Sequence, residues 1–335
     1  MSNKITIGWT GPVSPKKYGG TVYGDQTKEA LSENIDLEVL GVEGKHFKNR
    51  YFKTLESLYY LTKLEGKKDL WIRDFFSTVT MPLDKTRGKN LTIIHHVGFF
   101  TFPLIAKIPY FILERIFFRN LRKVDAILTI SEYWKNYFLE RGYPNVYKVY
   151  CGFDLSNFNI SKQEVADFKK RYNLEEKPIV YLGNCQKAKG VVDSYNALKG
   201  LDVHLITSGA QQVRIPAKNF HLGYREYLTL LKASSVALIM FKVREGWSIT
   251  AHESMLLKTP VIGTDLGALK ELLGEGKQII CKDFKNLREN VEYLLNHPEA
   301  RKKMGEDGYN FAKDFTLERF KKEWINVVSE VLLKN

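Results

Sequence analysis

Cysteine is scarce in this chain of 335 residues. The three present, Cys151, Cys185 and Cys281, lie far apart and without Cys-x-x-Cys or Cys/His spacing, which argues against a disulfide framework or a zinc site and for a reducing cytoplasm. Long apolar runs are missing too, and no stretch reaches the roughly 18–20 residues that a membrane-spanning helix needs. The start, "MSNKITIGWTG", runs straight into a strand-like segment without the charged-then-apolar order of a signal peptide. No Gly-x-Gly-x-x-Gly follows a strand-like run, which counts against a nicotinamide oxidoreductase. Zinc-finger spacing, an aromatic-rich RNP pattern and a basic region feeding heptads are all absent, which counts against nucleic acid as a partner. Acidic residues are outnumbered, 38 Asp+Glu against 51 Lys+Arg, for a net charge of +13. That surplus favours an anionic partner.

What is present is an alternation of short apolar runs with longer helix-like stretches, the pattern of parallel sheets built from βαβ units and so of an α/β fold. "KITIGW", "DLEVLGV", "LTIIHH" and "AILTIS" read as strands of a first half; "KPIVYLG", "DVHLITSG", "SVALIMF", "TPVIGT" and "KQIIC" read as strands of a second. The polar stretch "FDLSNFNISKQEVADFKKRYNLEEK" between them reads as the interdomain linker. A ligand of the doubly wound second half belongs beyond the carboxyl ends of its strands, where "GNCQKAKG", "SGAQQ" and "REGWSI" lie.

The last of these opens "REGWSITAHES", with glutamates at 245 and 253. On one continuous helix eight residues turn through roughly 800° and rise about 12 Å, so Glu245 and Glu253 would form no close acid pair. The spacing instead predicts Glu245 and Gly246 on a loop, Ser248 as an N-cap and Glu253 on the second turn of a helix. Free backbone N–H groups from about Trp247 to Thr250, Ile249 included, then make an anion site suited to phosphate. Lys187 and Lys189 can bring full charges from the neighbouring loop, although Lys187 is equally readable as a solvated turn residue. Glu253 suits hydroxyl donors such as a ribose diol, because a carboxylate beside a phosphate is costly. A diphosphate flanked by a ribose and a second polyhydroxyl group describes a nucleotide sugar.

"EGWSITAHESMLLKTPVIGTDLGALKELL" resembles the donor-site segment of the family-four retaining glycosyltransferases, glycosyl transferases group 1, whose GT-B architecture pairs two facing Rossmann-like domains across a deep cleft. "GPVSPKKYGGTVYGDQTKEAL", "KVDAILTISEYWKNYFLERG", "VYCGFD", "IVYLGNCQKAKGVVDSYNAL" and "FHLGYREYLTLLKASSVALIMF" are similar to other segments of that family, in the same order. The resemblance implies an acceptor-binding domain over 1–166, a nucleotide-sugar domain over 167–315, and a last helix, 316–335, crossing back to the first. It implies that Glu253 binds the ribose hydroxyls, that Glu245 faces the transferred sugar, and that Gly246, Trp247, Ser248, Ile249 and Thr250 hold sugar and diphosphate through their backbone. Lys189 matches a diphosphate cation, Gly19 and Gly20 the glycine loop, and His96, preferred to His95, the active-site histidine. Many members carry arginine where this chain has Asn184, with Lys187 the substitute; Tyr224 is placed to stack on a base or to pack at a strand end.

The activity implied is transfer of a sugar from a nucleotide diphosphate sugar to a glycan, lipid-linked or small-molecule acceptor with retention at the anomeric carbon. No Asp-x-Asp triad stands on a loop, so no metal or other cofactor is expected, and charge on the leaving group falls to lysine and helix amides. The alternative is an inactive nucleotide-sugar-binding protein that docks on a partner. Two further segments bear on location. "PLIAKIPYFILERIFFRNLRK" (103–123) and the basic stretch from Lys45 to Lys68 combine apolar and cationic residues, the composition of a segment lying on an anionic membrane surface and equally of an ordinary amphipathic helix.

Overall fold

The computed structural model describes residues 4–12, 19–33, 35–98 and 104–334, with the backbone alone at 12, 50 and 104–107. Residues 13–18, within the segment "GPVSPKKYGGTVYGDQTKEAL" likened to the glycine loop, lie outside them. The chain forms two compact units, Met1–Gly152 with Leu317–Asn335, and Phe153–Thr316. The division expected at 166 therefore falls earlier, and the physical reason is packing. Phe158, Ile160, Val165 and Phe168 join Leu174, Leu228 and Leu231 in one core cluster, so the stretch read as a linker is the opening of the second unit.

Unit 1 contains β1 (Thr6–Pro12), α1 (Gly19–Ser32), β2 (Asp36–Val42), α2 (Arg50–Leu61), β3 (Glu65–Arg73), α3 (Phe75–Thr80), β4 (Lys85–Ile94), α4 (Leu104–Leu121), β5 (Ala126–Thr129), α5 (Glu132–Leu139) and β6 (Val146–Lys148). The six strands are parallel in the order β2-β1-β3-β4-β5-β6. Right-handed crossovers then put α1 on one face and α2 to α5 on the other. The C-terminal helix (Leu317–Leu333) packs on the α1 side, where the Tyr23 ring meets Phe320 at 5.2 Å and Trp324 at 6.3 Å. Along it Phe320, Trp324, Val328 and Val331, at helical spacing, are buried, whereas Leu317 is partly exposed.

Sequence patterning missed β3, a central strand. Its first half, "EGKKD", is polar and mostly exposed, and its pairing with β4 shifts register between Lys67 and Leu70, so only Leu70 to Arg73 are buried. Arg73 is a buried cation, 1% exposed. Its guanidinium donates to Asp84 Oδ2 (2.8 Å), Asn90 Oδ1 (2.6 Å), Thr86 Oγ1 (2.6 Å) and the Ser77 carbonyl (3.1 Å), tying β3, α3 and β4 together out of contact with water.

α2 is reversed relative to an ordinary amphipathic helix. Its buried side includes Glu56 and Ser57 as well as Leu61, while Tyr51, Phe52, Leu55 and Tyr59 are about half exposed or more. The inward carboxylate has a purpose. Glu56 receives the His46 backbone N–H (3.1 Å) and the His46 ring, and Ser57 Oγ receives the Gly44 N–H (2.9 Å), so the loop after β2 hangs on the helix.

Unit 2 contains α6 (Lys162–Arg171), β7 (Ile179–Asn184), α7 (Val191–Leu198), β8 (His204–Ser208), β9 (Lys218–Phe220), α8 (Tyr224–Ala233), β10 (Val236–Ile239), α9 (Ile249–Leu256), β11 (Val261–Gly263), α10 (Leu269–Glu275), β12 (Ile279–Ile280), α11 (Leu287–Asn296) and α12 (Pro298–Ala312). Its parallel order is β12-β11-β10-β7-β8-β9. The chain leaves β7 toward β8 on one side, and β10 lies on the other, so the point of reversal falls between β7 and β10. Val180, Leu182, Val236, Leu238 and Ile262 form the dry centre beneath it.

Removing the Arg73 side chain leaves Asp84 buried and unpaired, a loss of about 3–5 kcal/mol. Arg73→Ala is expected to lower the denaturant midpoint of unit 1 accordingly, and an unchanged midpoint in chemical unfolding would show the network to be dispensable.

Candidate functional site

The loops after β7 and β10 flank the reversal point, where a doubly wound sheet opens a crevice at its carboxyl edge. After β7 the chain makes one short turn, Lys187–Lys189, and enters α7 through Gly190. Gly190 has φ +73°, and a β-carbon there would run into the Met240 carbonyl oxygen, so only glycine lets the β7 loop lie on β10. The Lys242 N–H donates to the Ala188 carbonyl at 3.0 Å, fastening the two loops.

This contact brings together two residues that the sequence places on separate loops. Lys189 Nζ pairs with Glu245 Oε1 at 2.5 Å and lies 3.8 Å from the centre of the Phe241 ring. Glu245 is held in turn by Gly267, whose φ of +67° allows the two backbones to run side by side, with the Ala268 N–H donating to the Glu245 carbonyl at 3.1 Å. Ser248 caps α9 as expected, accepting from the Ala251 N–H at 3.3 Å, and Ile249 and Thr250 form the first turn. Gly246 is buried. The Trp247 ring turns inward, 5% exposed, and packs 5.8 Å from Phe315 and 6.0 Å from His252.

Glu253 lies on the second turn of α9, 4% exposed. Tyr224 Oη donates to its Oε1 at 2.9 Å and Tyr227 Oη to its Oε2 at 3.1 Å, while Tyr227 also reaches Thr250 Oγ1 at 3.1 Å. Burial drives the carboxyl up from its ordinary 4.5 to about 7, and the two tyrosine hydroxyls pull it back only in part. The same carboxylate, after burial, raises both tyrosines. Tyr224 is thus half-exposed at the carboxylate, with its hydroxyl engaged. Tyr227, three residues along the same helix, was not foreseen, although that spacing puts the two rings on one face.

Asn184 ends β7, where its Oδ1 accepts from Ser208 Oγ at 3.2 Å and Tyr181 Oη at 3.4 Å, and Lys187 is exposed in the turn that follows. In unit 1, Gly19 and Gly20 open α1, and His95 and His96 follow β4. The His95 ring packs edge-on against Tyr23 at 5.2 Å, and burial first, then the neighbouring His96, lowers it to about 4, so it is neutral near pH 7. His96 is exposed. The histidine of the "REGWSITAHES" segment, His252, is a packing residue: it stacks on Phe153 at 4.1 Å, its Nε2 meets the Ala312 carbonyl at 3.0 Å, and burial lowers it to about 3.

Known proteins share this architecture. Sucrose-phosphate synthase from Thermosynechococcus elongatus matches with a TM-score of 0.78 and 16% identity over 98% of this chain and 99% of that one. Anabaena HepE in complex with UDP-glucose matches with a TM-score of 0.77 and 11% identity over 97% of this chain and 100% of that one. At such identities the likeness establishes the fold, and that fold is the GT-B fold of glycosyltransferases. Residues 162–311 match the family described as Glycosyl transferases group 1. An uncharacterized glycosyltransferase of Methanocaldococcus jannaschii is 27% identical over 210 residues, 58% of this chain and 56% of that protein, so the match spans little more than half the relative's length.

A carboxyl held above its unfolded pKa keeps its proton more readily in the folded state. Its contribution to stability is complete below about pH 4.5 and is lost as pH rises through about 7, the cost of ionising it in place being on the order of 3 kcal/mol. Unit 2 is therefore expected to lose stability between about pH 5 and about pH 8, with Glu253→Gln flattening that slope in denaturant titrations. Equal slopes for the two proteins would remove Glu253 as the source.

Proposed function

We propose that this protein is a retaining glycosyltransferase that moves a sugar from a nucleotide diphosphate sugar to an acceptor. The observation that carries the reading is the convergence, at the reversal point of one sheet, of Lys189, Glu245 and the α9 N-terminus, with the buried Glu253 on the next turn. Glu253 is the ribose-diol acceptor, and incoming hydroxyls complement the donations of Tyr224 and Tyr227. The amides of Gly246 to Thr250 and the Lys189 ammonium receive the diphosphate, and their hold strengthens as negative charge grows on the leaving group. A diphosphate competes with Glu245 for Lys189, which turns the Glu245 carboxylate toward a hydroxyl of the transferred sugar. Asn184 and Lys187 border the diphosphate, Gly19 and Gly20 keep the expected donor-binding role and His96 the catalytic one, and no metal is assigned a role. UDP-glucose, the ligand of HepE, is the first donor to try.

The two glutamates are expected to fail differently. Glu253→Ala weakens binding of free UDP by roughly 1.5–3 kcal/mol, because the diol loses a charge-assisted partner. Glu245→Gln leaves UDP affinity within about threefold while lowering turnover, its partner being the sugar. Titration calorimetry beside a transfer assay separates these outcomes. Hydroxyl donors favour the ionised Glu253, so UDP binding near pH 7 also releases protons, seen as a dependence of the heat on the buffer's ionisation enthalpy. Donor binding without transfer to any acceptor would instead identify a binding protein that has lost catalysis.

We also read one face of unit 1 as docking on an anionic membrane surface. The observation is the outward stripe of α2 together with Ile108, Phe111 and Ile112 on α4, which are 71%, 56% and 53% exposed and are followed on the same side by Arg115 and Arg119. Among the described residues no helix is long and apolar enough to cross a membrane, and apolar side chains beside cations suit the interface, where each basic residue adds about 1 kcal/mol. Co-sedimentation with anionic vesicles, weakened by salt and by Phe111→Asp, is the expected result. Indifference to both vesicle charge and Phe111→Asp would overturn it.

A further inference from the structure

Unit 1 carries a second concave site, at the edge of its sheet opposite to Gly19 and His96. It lies where α2 and α4 end and where the turn Met81–Leu83 follows α3. These segments precede β3, β5 and β4, so the groove belongs to the amino-terminal edge of the strands, whereas Gly19 and His96 follow the carboxyl ends of β1 and β4. It has a volume of about 300 Å³ and apolar walls made by Leu58, Tyr59, Val79, Leu83 and Ile116. That volume stands at the small end of ligand pockets and suits one chain of carbon atoms.

One group lining it is left incomplete by the fold. Asn120 is fully buried, and its Nδ2 donates to the carbonyls of Thr78 at 3.0 Å and Val79 at 2.9 Å. Those two bonds fix the amide's orientation, because turning it over would set oxygen against two carbonyl oxygens. Asn120 Oδ1 is then left buried with no hydrogen-bond partner. An unpartnered buried acceptor is costly, and a ligand that brings a donor to it recovers the cost. The preceding residue, Arg119, also lines the groove and is exposed, which places a permanent cation at its rim.

These features choose among occupants. A sugar would find too few polar partners, a free phosphate would leave the apolar walls wet, and a bare alkyl chain would leave Asn120 Oδ1 unpartnered. We propose that this groove binds a single-chain amphiphile that carries a phosphate-type anion and a neighbouring hydroxyl. The chain lies against Tyr59 and Ile116, the hydroxyl donates to Asn120 Oδ1, and the anion meets the Arg119 guanidinium. This site is independent of sugar transfer and takes its ligand as a monomer.

The test uses the full chain and decyl phosphoglycerol below its micelle concentration, with decyl methyl phosphate as the hydroxyl-free probe and glycerol phosphate as the chainless one. Calorimetry is expected to show saturable binding of one decyl phosphoglycerol per chain, about fivefold to tenfold weaker binding of the methyl-capped probe, and none of glycerol phosphate. Arg119→Glu is expected to cost about tenfold or more. Leu83→Glu, at a side chain 69% exposed and so compatible with folding, is expected to abolish binding of the chain. Equal affinities for the two decyl probes, or binding indifferent to both substitutions, would overturn the proposal. So would binding to anionic vesicles with no binding of the monomer, an outcome that leaves the membrane reading standing. UDP titration of the same samples reports on the sugar-transfer reading separately.

Discussion

A carboxylate almost wholly removed from water can persist on the second turn of α9 only while donors face it, and the arrangement of unit 2 follows from meeting that demand. Tyr224 and Tyr227 supply the donors from α8. α8 is in turn aligned by Arg225, which donates to the carbonyls of Asn157 (2.9 Å) and Asn159 (2.7 Å) and to Glu164 Oε1. The polar stretch after Gly152 thereby sets the helix that sets the carboxylate. The carboxyl held in this way ionises reluctantly, because burial outweighs the two tyrosine hydroxyls that face it.

Close backbone approach is the second requirement of the site. Gly190 lets the β7 loop lie against Met240, and Gly267 lets the segment before α10 lie against Glu245. Lys189 and Glu245 face each other because both loops are held this way, on strands whose side chains exclude water from the centre of the sheet. The pair is partly buried and hydrogen-bonded, so its geometry is better defined than that of a surface ion pair, and each partner limits what the other can accept.

Unit 1 manages charge differently. Arg73 is buried among four acceptors that join β3, α3 and β4, and Glu56 is turned inward to hold the loop after β2. Spending polar groups inside leaves aromatic and aliphatic side chains outside on α2 and α4. That exposed apolar face, on a chain with a net charge of +13, is the feature on which the membrane and amphiphile proposals rest.

The alternation of short apolar runs with helical stretches was enough to read nine of the twelve strands among the described residues and the doubly wound character of the second half, because a strand buried on both faces must be apolar throughout. The Ser248 cap and the place of Glu253 were legible because capping chemistry is local. What failed was nonlocal. β3 hid behind a polar first half whose neighbours across the sheet decide its pairing, and β6 ("VYK") and β9 ("KNF") carry polar residues that break any apolar run. The polar stretch after Gly152 passed for a linker because it contributes few apolar residues to a core mostly made by others. The Lys189–Glu245 pair, 56 residues apart, and the orphaned oxygen of Asn120 exist only once strands are ordered and helices packed. Sequence by itself determined the local chemistry, namely the caps, the glycines and the position of each carboxylate. Tertiary structure decided which of those groups lose their water, and so which carboxylate is held near 7 and which acceptor waits for a donor, because desolvation depends on everything packed around a group and not on its neighbours in the chain.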